Sequence, residues 1–312
     1  NESVNITLYD TSELGLTNKW PFRDDISCPS TICTKLLDDD NYIFNVTYLD
    51  NYNYTLQEFT PPCNYEINES IIVNMTTDLN CSEDYIINIT ADNVTLDCKN
   101  RKIEGDVNYG IYVTANNVTI ENCDINITGN DGIYYSNANY GTIKNNNISI
   151  EDKGINLEDS SNNNIINNNV SVLYNKGIKL GSSPDNNITN NNISVTNDGI
   201  LFDNSSDNYI INNNISAVNG RGINIDASSN NNIISNNDIS TEMDSGVDID
   251  SSSYNTITNN DVSVGGENGI NLQSSENNII SDNNISVVHC NVLPGLMTMQ
   301  DGSAGDRPGG NS

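Results

Sequence analysis

Three observations predict that the chain is an all-β solenoid, in which short parallel strands coil around a thin apolar core. A glycine followed by an aliphatic residue recurs eight times from Gly110 to Gly269, at intervals of 22 to 24 residues. Within each repeat apolar and polar residues alternate, and a period of two is typical of strands. The hydrophobic fraction is 35%, below the roughly 45–50% of compact globular domains, which suits an elongated fold.

Each repeat is predicted to contain three strands and three corners. Positions one and three after the glycine are apolar, as in Ile178 and Leu180, and they define the first strand. Positions eleven and sixteen are also apolar, as in Ile188 and Ile193. Because residues an odd number apart on one flat strand point to opposite faces, the chain must turn between these two. Strands of successive repeats would then pair about 4.7–4.9 Å apart, as a single-stranded parallel β-helix.

Two columns of asparagine are predicted at the corners. Asparagine tolerates the left-handed backbone conformation of a sharp corner, and stacked amides can hydrogen-bond along a ladder. One column lies at position fourteen: Asn146, Asn168, Asn191, Asn213, Asn260 and Asn283. The other lies at position nine: Asn163, Asn186, Asn208, Asn255 and Asn278. The repeat that begins at Gly222 has one extra residue before Ile239, which indicates a local bulge.

The first repeats also carry a family resemblance. The stretch "NVTLDCKNRKIEGD" (Asn93–Asp106), followed by "YGIYV" and "NVTIENCDI", resembles the first coils of right-handed parallel β-helix proteins. These are secreted and surface proteins of archaea and bacteria with repeats of the periplasmic copper-protein (NosD-like) and carbohydrate-binding type. The resemblance covers roughly residues 85–288 and implies a fold rather than a function, since this scaffold hosts lyases, hydrolases, adhesins and fibres.

The regions outside the repeat are predicted to have other roles. Residues 1–84 contain the only tryptophan, Trp20, and the alternating stretch "YIFNVTYLDNYNYTL". They are predicted to form a β-rich cap or assembly region over the first coil, because exposed strand edges invite aggregation. The parallel β-helix is expected over 85–288. Residues 289–312 abandon the Asn- and Ile-rich pattern and are interpreted as a tail or plug.

The seven cysteines show no CxxC spacing, which argues against zinc and c-type haem. Cys98 and Cys123 follow matching strands about one coil apart, so their α-carbons should stack within disulfide reach. Two further disulfides are then expected in the amino-terminal region, Cys63–Cys81 and Cys28–Cys33. Cys290 is left beside His289, the only histidine, and is interpreted as a free or intermolecular thiol rather than as half of a nucleophilic pair.

Charge and sequons indicate a secreted or cell-surface protein. The net charge of -30 would repel nucleic acid and anionic lipid, and no apolar run approaches the roughly 18 residues of a membrane span. A first residue other than methionine fits a processed secretory leader. Glycosylation is predicted at the Asn-x-Ser/Thr sequons, among them Asn45, Asn74, Asn88, Asn93, Asn117, Asn126, Asn147, Asn169, Asn192, Asn214 and Asn284.

Candidate sites on the coils are few. No histidine precedes position 289 and the lysines and arginines look scattered, so no catalytic constellation is recognised and the chain is not expected to be an enzyme.

Four outward aspartates, Asp203, Asp226, Asp248 and Asp250, offer hard oxygen ligands that suit calcium, or else form a solvated acidic face. No other cofactor is expected. Tyr112 and Tyr134 offer aromatic surfaces for sugars, although tyrosine also simply suits strands.

The function predicted from these features is structural or adhesive. The chain would act as an extracellular solenoid and as a head-to-tail fibre subunit, its partners being further copies of itself and cell-surface glycans. The segment "SVNITLYD", with alternating Val4, Ile6 and Leu8, could add a strand to the next subunit. The alternative is a polysaccharide-binding or polysaccharide-cleaving protein. A metal-delivery role follows from the family resemblance alone.

Overall fold

A computed structural model describes residues 61–82 and 84–288 in full, and the backbone of six strands between residues 4 and 58. These residues contain no helix. The six strands are β1 (Val4–Leu8), β2 (Lys19–Arg23), β3 (Ile26–Ser27), β4 (Cys33–Asp38), β5 (Tyr42–Val46) and β6 (Tyr54–Glu58). They form two antiparallel three-stranded sheets, in the orders β1-β5-β4 and β3-β2-β6.

This pairing bears on the predicted assembly. Strand β1, the segment expected to join a neighbouring subunit, pairs antiparallel with β5 of its own chain, from Val4 opposite Val46 to Leu8 opposite Tyr42. One of its two edges is therefore already hydrogen-bonded within the molecule. The predicted strands around residues 42–58 are confirmed as β5 and β6, and their role as a cap stays a prediction.

The rest of the described chain is a solenoid of three parallel ten-stranded sheets. The first sheet contains β7 (Tyr65–Ile67), β10 (Tyr85–Ile89), β13 (Tyr109–Val113), β16 (Asp131–Ser136), β19 (Lys153–Glu158), β22 (Ile178–Gly181), β25 (Ile200–Asp203), β28 (Ile223–Asp226), β31 (Val247–Asp250) and β34 (Ile270–Gln273). The second contains β8 (Ile72–Asn74), β11 (Thr95–Asp97), β14 (Thr119–Glu121), β17 (Thr142–Lys144), β20 (Asn164–Ile166), β23 (Asn187–Thr189), β26 (Tyr209–Ile211), β29 (Ile233–Ser235), β32 (Thr256–Thr258) and β35 (Ile279–Ser281). The third contains β9 (Leu79–Cys81), β12 (Lys102–Gly105), β15 (Asp124–Ile127), β18 (Asn147–Ile150), β21 (Asn169–Val172), β24 (Asn192–Val195), β27 (Asn214–Ala217), β30 (Asp238–Thr241), β33 (Asp261–Val264) and β36 (Asn284–Val287).

The predicted register is confirmed. Equivalent residues of successive coils pair directly, so that Ile155 stands opposite Ile178, and Ile178 opposite Ile200. These side chains are fully buried, as are Ile188 in the second sheet and Ile193 in the third. Apolar columns from the three sheets therefore meet to form the core. The coils begin at β7, one coil before the predicted start at residue 85 and two coils before the first Gly-aliphatic pair, at Gly110 in β13.

The repeated glycine is required by the approach of neighbouring coils. A Cβ on Gly177 would lie 2.4 Å from Cγ2 of Ile193 and 2.6 Å from the carbonyl oxygen of Gly199. Neither distance leaves room for a methyl group, and one of the two atoms is backbone. The glycine thus lets the corner between the third and first sheets pass close over the core.

At the corner between the second and third sheets, one residue adopts the left-handed conformation and the next one makes the buried amide hydrogen bonds. The predicted ladder is present: Asn191 is 1% exposed, and its Nδ2 donates to Asn213 Oδ1 at 3.0 Å and to the Ile165 carbonyl at 2.9 Å. The left-handed residue, however, is the preceding Asn190, with φ 57°. The expectation that one asparagine supplies both the corner conformation and the amide bonds is wrong, because the side chain can point inwards only after the turn.

Two further ladders line the other corner, between the first and second sheets. The expected amide column is buried, with the Asn186 backbone N–H donating to Asn208 Oδ1 at 2.8 Å. Beside it runs a serine column that the sequence analysis missed, in which the Ser183 N–H donates to Ser205 Oγ at 2.9 Å. Its members are Ser160, Ser183, Ser205, Ser229, Ser252 and Ser275.

The extra residue of the coil that begins at Gly222 lies in this same corner. Ala227 and Ser228 both have positive φ, 52° and 65°, so this corner contains one more residue than the equivalent corners of the other coils. Asn232 and Asn237 then rejoin the two amide ladders, each accepting a backbone N–H from the preceding coil at 2.8–2.9 Å. The predicted bulge is therefore a longer corner, and the strands on both sides keep their register.

Two of the expected disulfides are present. Cys98 and Cys123 are bonded with a Cα–Cα distance of 4.7 Å, and Cys63 is bonded to Cys81 with a Cα–Cα distance of 5.6 Å. The pair Cys28–Cys33 and the neighbours His289 and Cys290 lie outside the residues that are described with side chains. Disulfides are typical of oxidising compartments, which agrees with a protein outside the cytosol.

Candidate functional site

The outer face of the first sheet carries most of the chemically interesting side chains. Two columns run along the solenoid axis, since equivalent residues of successive strands lie side by side. One column contains Tyr109, Asp131 and Lys153. The other contains Asn88, Tyr112, Tyr134, Asn156 and Lys179. We call this set the first-sheet patch.

Three tyrosines of the patch form a compact stack. The ring centroids of Tyr109, Tyr112 and Tyr134 lie 5.3–5.4 Å from one another, with interplanar angles of 11–24°. Tyr109 and Tyr112 belong to one strand and Tyr134 to the next, so the three rings form a triangular cluster rather than a column along the axis. The predicted aromatic surface of Tyr112 and Tyr134 is therefore extended by a third ring, that of Tyr109.

Asp131 is the most buried charged group of the patch, at 3% exposure. Its Oδ1 accepts a hydrogen bond from Lys153 Nζ at 3.0 Å and its Oδ2 accepts one from Asn156 Nδ2 at 3.0 Å. Lys153 also donates to Asp152 at 2.7 Å. Burial raises the pKa of Asp131 above its usual 3.8, although the amide and the ammonium act in the opposite direction. Burial and then the charge of Asp131 raise the pKa of Tyr109 as well.

Two amide oxygens of the patch lack partners. Oδ1 of Asn88 and Oδ1 of Asn156 are both buried, and neither accepts a hydrogen bond from the described part of the chain. They lie in one column with Tyr112 and Tyr134 between them. Since buried polar atoms are almost always hydrogen-bonded, these two acceptors are unsatisfied polar atoms of the patch.

Each lysine of this face contacts a polar side chain, and Lys153 stands in register with its partner Asp131. Lys179 forms an ion pair with Glu158, next to the pair of Lys153 and Asp131. Lys176 donates to Asn175 Oδ1 at 2.7 Å. The expectation that these lysines are scattered is wrong: their positions relative to Gly154 and Gly177 place them on two neighbouring coils of one face. That alignment was the signal available in the sequence.

A second cluster lies five coils further along the same sheet. Asp248 is 8% exposed and accepts a hydrogen bond from Asn271 Nδ2 at 2.8 Å. Arg221 Nε lies 2.8 Å from Asp248 Oδ2 and 3.9 Å from Asp244 Oδ2. Burial raises the pKa of Asp248, against the effects of Asn271 and Arg221. The arrangement repeats that of Asp131, without the tyrosines.

The four aspartates expected to bind calcium are divided between two columns. Asp203 and Asp226 are paired in register and exposed, whereas Asp248 stands in the column of Asn224 and contacts Arg221. Asp250 accepts a hydrogen bond from Ser251 Oγ at 3.0 Å. Among residues 61–82 and 84–288, no group of three or more histidine, cysteine or acidic side chains is arranged to hold a metal ion, so the geometry adds no support for calcium.

The predicted sequons lie mostly on open surface. Asn93, Asn117, Asn126, Asn147, Asn169, Asn192, Asn214 and Asn284 are exposed. In the third sheet the residue after each asparagine points inwards, as with the buried Ile193 between the exposed Asn192 and Ser194. Asn74 and Asn88 are partly buried, and Asn45 belongs to β5, whose side chains are not described. Their glycosylation stays a prediction.

Two shallow depressions lie at the corner between the third and first sheets, and the smaller reaches Asn108, the residue before Tyr109. The smaller, about 360 Å³, is lined by Asp84, Asp106, Asn108 and Thr128 among others. The larger, about 440 Å³, follows the ends of the third-sheet strands from Asn126 to Val218. Thr128 lines both, so they form one path along the edge of the solenoid.

The family of the chain follows from its repeats. Two overlapping matches to the family model of the right handed beta helix region cover residues 85–225 and 174–294, more than half of the chain. The protein therefore belongs to the right-handed β-helix family, as the resemblance of its coils implied. No curated protein sequence is significantly similar to it.

Solved structures share this fold at low sequence identity. A DFA-IIIase from Arthrobacter chlorophenolicus A6, in complex with DFA-III, has a TM-score of 0.52 and 15% identity over 69% of this chain. The Dettilon tailspike protein has a TM-score of 0.50 and 16% identity, again over 69% of this chain. The A-module of a mannuronan C-5 epimerase from Azotobacter vinelandii has a TM-score of 0.48 and 16% identity over 71%. The chain spans 61% of the DFA-IIIase, 55% of the tailspike and 76% of the epimerase module.

These structures correct one expectation. The chain was expected not to be an enzyme because its coils lack a histidine and a recognised catalytic constellation. That expectation is wrong, because a DFA-IIIase, an enzyme, has the same fold. Identities of 15–16% show the shared fold only. Within the described residues no helix is long and apolar enough to cross a membrane.

Proposed function

We propose that the protein is a secreted or cell-surface β-helix that binds a polysaccharide through the first-sheet patch and acts on it there. The observation that carries this proposal is the environment of Asp131. A nearly buried carboxyl group, held by Lys153 and Asn156, stands beside three stacked tyrosines. Tyrosine edges and hydroxyls suit sugars, which present both C–H surfaces and hydroxyl groups.

The unpartnered amide oxygens support a saccharide ligand in particular. Oδ1 of Asn88 and Oδ1 of Asn156 are buried without a hydrogen-bond partner, and rotation of either amide towards the surface would offer it to sugar hydroxyls, which are abundant donors. They flank the pair formed by Tyr112 and Tyr134, so polar and aromatic contacts alternate along the axis. A polymer lying along that axis would meet all four side chains.

Asp131 is the residue to which we assign the chemistry. Its pKa is raised by burial, so its carboxyl group holds a proton at higher pH than an exposed aspartate does, as a general acid requires. Lys153 neutralises the ionised form after the proton is given up. The similar fold of a DFA-IIIase and a likeness to a mannuronan C-5 epimerase agree with sugar chemistry on such a scaffold, without indicating which reaction occurs here.

The test is a panel of soluble polysaccharides, assayed for binding by affinity electrophoresis and for new reducing ends or unsaturated products. We expect at least one polymer to bind and Asp131→Asn to abolish its turnover while the fold is retained. The matched control is Asp203→Asn, an exposed carboxylate of the same sheet. No binding to any polymer, or equal activity in the Asp131→Asn variant, would refute the proposal.

Assembly into a fibre is a second candidate, supported by the last described coil. Ile285 and Val287 are 37% and 38% exposed, whereas their counterparts Val262 and Val264 one coil earlier are at most 1% exposed. Apolar side chains at this end would gain from being covered by another subunit. Light scattering of the full chain at increasing concentration and calcium tests this candidate, and a constant monomer mass would exclude it.

A further inference from the structure

The larger depression is an axial groove with a regular construction. One wall is the outward column Asn126, Ser149, Ser171 and Ser194, and the other is the column Thr128, Glu151, Leu173, Thr196 and Val218. The inward-pointing residues between them form the floor: Ile127, Ile150, Val172 and Val195, each at most 5% exposed. The groove therefore offers repeated hydroxyls along one side and mixed contacts along the other.

The chemistry of the lining excludes some ligands and favours others. Among the lining residues Glu151 is the only charged one, and none is a lysine or arginine. With an overall charge of -30, the protein would repel an anionic polymer at a groove without cations. Leu173 and Val218 are 50% and 37% exposed, and such side chains pack against apolar ligand surface at the cost of little desolvation.

The serine hydroxyls are available for a ligand when the sequons of this face, Asn126, Asn147, Asn169 and Asn192, carry no glycan. Within the described part of the chain, Ser149, Ser171 and Ser194 make no side-chain hydrogen bond to other residues, whereas Thr128 donates to Asp106 Oδ1 at 3.1 Å. The three serines recur once per coil, at the strand spacing of about 4.7–4.9 Å. A ligand that offers hydroxyl groups at a similar repeat along a straight axis would engage several of them together.

We propose that this groove binds a neutral, linear polysaccharide, as the continuation of the chain that occupies the first-sheet patch. The inference rests on the proposed function, because Thr128 joins the groove to the smaller depression. That depression is lined by Asn108, which precedes Tyr109 and accepts the backbone N–H of Asp131. The polymer crosses the corner at Thr128 and runs along the serine column. Its hydroxyls hydrogen-bond to the serines and its C–H faces pack on Leu173 and Val218.

The experiment compares short and long saccharides. Neutral trisaccharides and hexasaccharides of the β-glucan and mannan types, and a hexauronate as the anionic probe, are titrated calorimetrically against protein produced without N-glycans. We expect the neutral hexasaccharide of the preferred type to bind more tightly than its trisaccharide, and the hexauronate not to bind in the groove. Tighter binding of the hexauronate than of any neutral hexasaccharide would overturn the assignment to a neutral polymer.

A blocking substitution locates the effect. Ser171→Trp fills the middle of the groove and should weaken hexasaccharide binding by about tenfold, the equivalent of one or two lost hydrogen bonds, without changing trisaccharide binding. Ser240→Trp is the matched control, because Ser240 belongs to the same serine column beyond the groove. Unchanged hexasaccharide affinity in Ser171→Trp would refute the groove alone, while Asp131→Asn would still report on the patch. If no saccharide binds at all, the groove and the proposed function both fail.

Discussion

Oδ1 of Asp131 lies 3.0 Å from Nζ of Lys153, which occupies the same position on the next coil. This pair exists only because the solenoid stacks residues 22 positions apart, so it belongs to the register and not to any local motif. Lys153 has a second carboxylate partner in Asp152, whereas Asp131 is almost fully enclosed. Folding therefore changes the surroundings of the Asp131 carboxyl group more than those of the Lys153 ammonium group.

The raised pKa of Asp131 predicts a pH-dependent contribution to stability. The folded state holds the proton of Asp131 more tightly than the unfolded state does. The resulting stabilisation is present below the ordinary pKa of 3.8 and is lost as the pH rises through the folded-state pKa. The free energy of unfolding of the wild type, minus that of the Asp131→Asn variant, should therefore decrease as the pH rises from 3.8 through the folded-state pKa of Asp131. Urea unfolding of both proteins between about pH 3 and 7 measures it, and parallel pH profiles would contradict the prediction.

The buried amide ladder predicts a large difference between neighbouring asparagines. Asn191→Ala leaves the Ile165 carbonyl and the Asn168 N–H without their partners inside the core. At about 1–3 kcal/mol for each of these two unsatisfied groups, the loss should be on the order of 2–6 kcal/mol. Asn192→Ala removes two exposed amide contacts, one donated to Asn169 and one accepted from Asn214, and because water can replace both it should cost less than about 1 kcal/mol. Chemical denaturation of the two variants gives the comparison, and equal effects would break the register.

The left-handed corner predicts a difference between two substitutions at one position. Asn190 has a φ of 57°, a conformation that costs most residues about 1–2 kcal/mol. Asn190→Ala should therefore destabilise the coil by about 1 kcal/mol, while Asn190→Gly should be close to neutral. Thermal unfolding of both variants provides the measurement. An alanine variant as stable as the glycine variant would show that the corner conformation does not limit stability.

The disulfide between adjacent coils predicts a redox-dependent stability. Cys98 and Cys123 are 25 residues apart in sequence, and closing a loop of that size contributes about 3 kcal/mol by restricting the unfolded chain. The double variant Cys98→Ala/Cys123→Ala should unfold at a correspondingly lower urea concentration. A reducing agent should destabilise this variant less than the wild type, because only the Cys63–Cys81 pair among the described disulfides remains to be reduced. An unchanged midpoint in the double variant would contradict the prediction.

The fold could be predicted from sequence because its cause is periodic. The glycines, the apolar columns and the asparagines of each coil all recur at one interval, so their partners could be inferred without coordinates. The serine ladder was missed because Ser160 and Ser183 lie within a Ser- and Asn-rich corner where one polar residue looks like another. Asn232 was missed because the longer corner at Ala227 shifts it by one position relative to the glycine.

The candidate site was harder to predict for a different physical reason. Asp131, Lys153 and Asn156 owe their importance to burial and to contacts between coils, and each looks like an ordinary polar residue of a strand. Aligning the repeats by their glycines places Lys153 beside Asp131, but alignment alone does not show that Asp131 is enclosed. The enclosure depends on the size of neighbouring side chains such as Tyr109, and on small departures from perfect repetition.

The ladders have a consequence for how such a protein changes its length. Each coil receives from the one before it the same set of donors and acceptors that it offers to the one after it, as the chain of Asn168, Asn191 and Asn213 illustrates. A duplicated or deleted repeat would therefore meet compatible neighbours at both joints. Recombination between repetitive stretches of the gene could lengthen or shorten the molecule in steps of about 4.8 Å, and the number of coils is free to drift until a ligand of fixed length selects one.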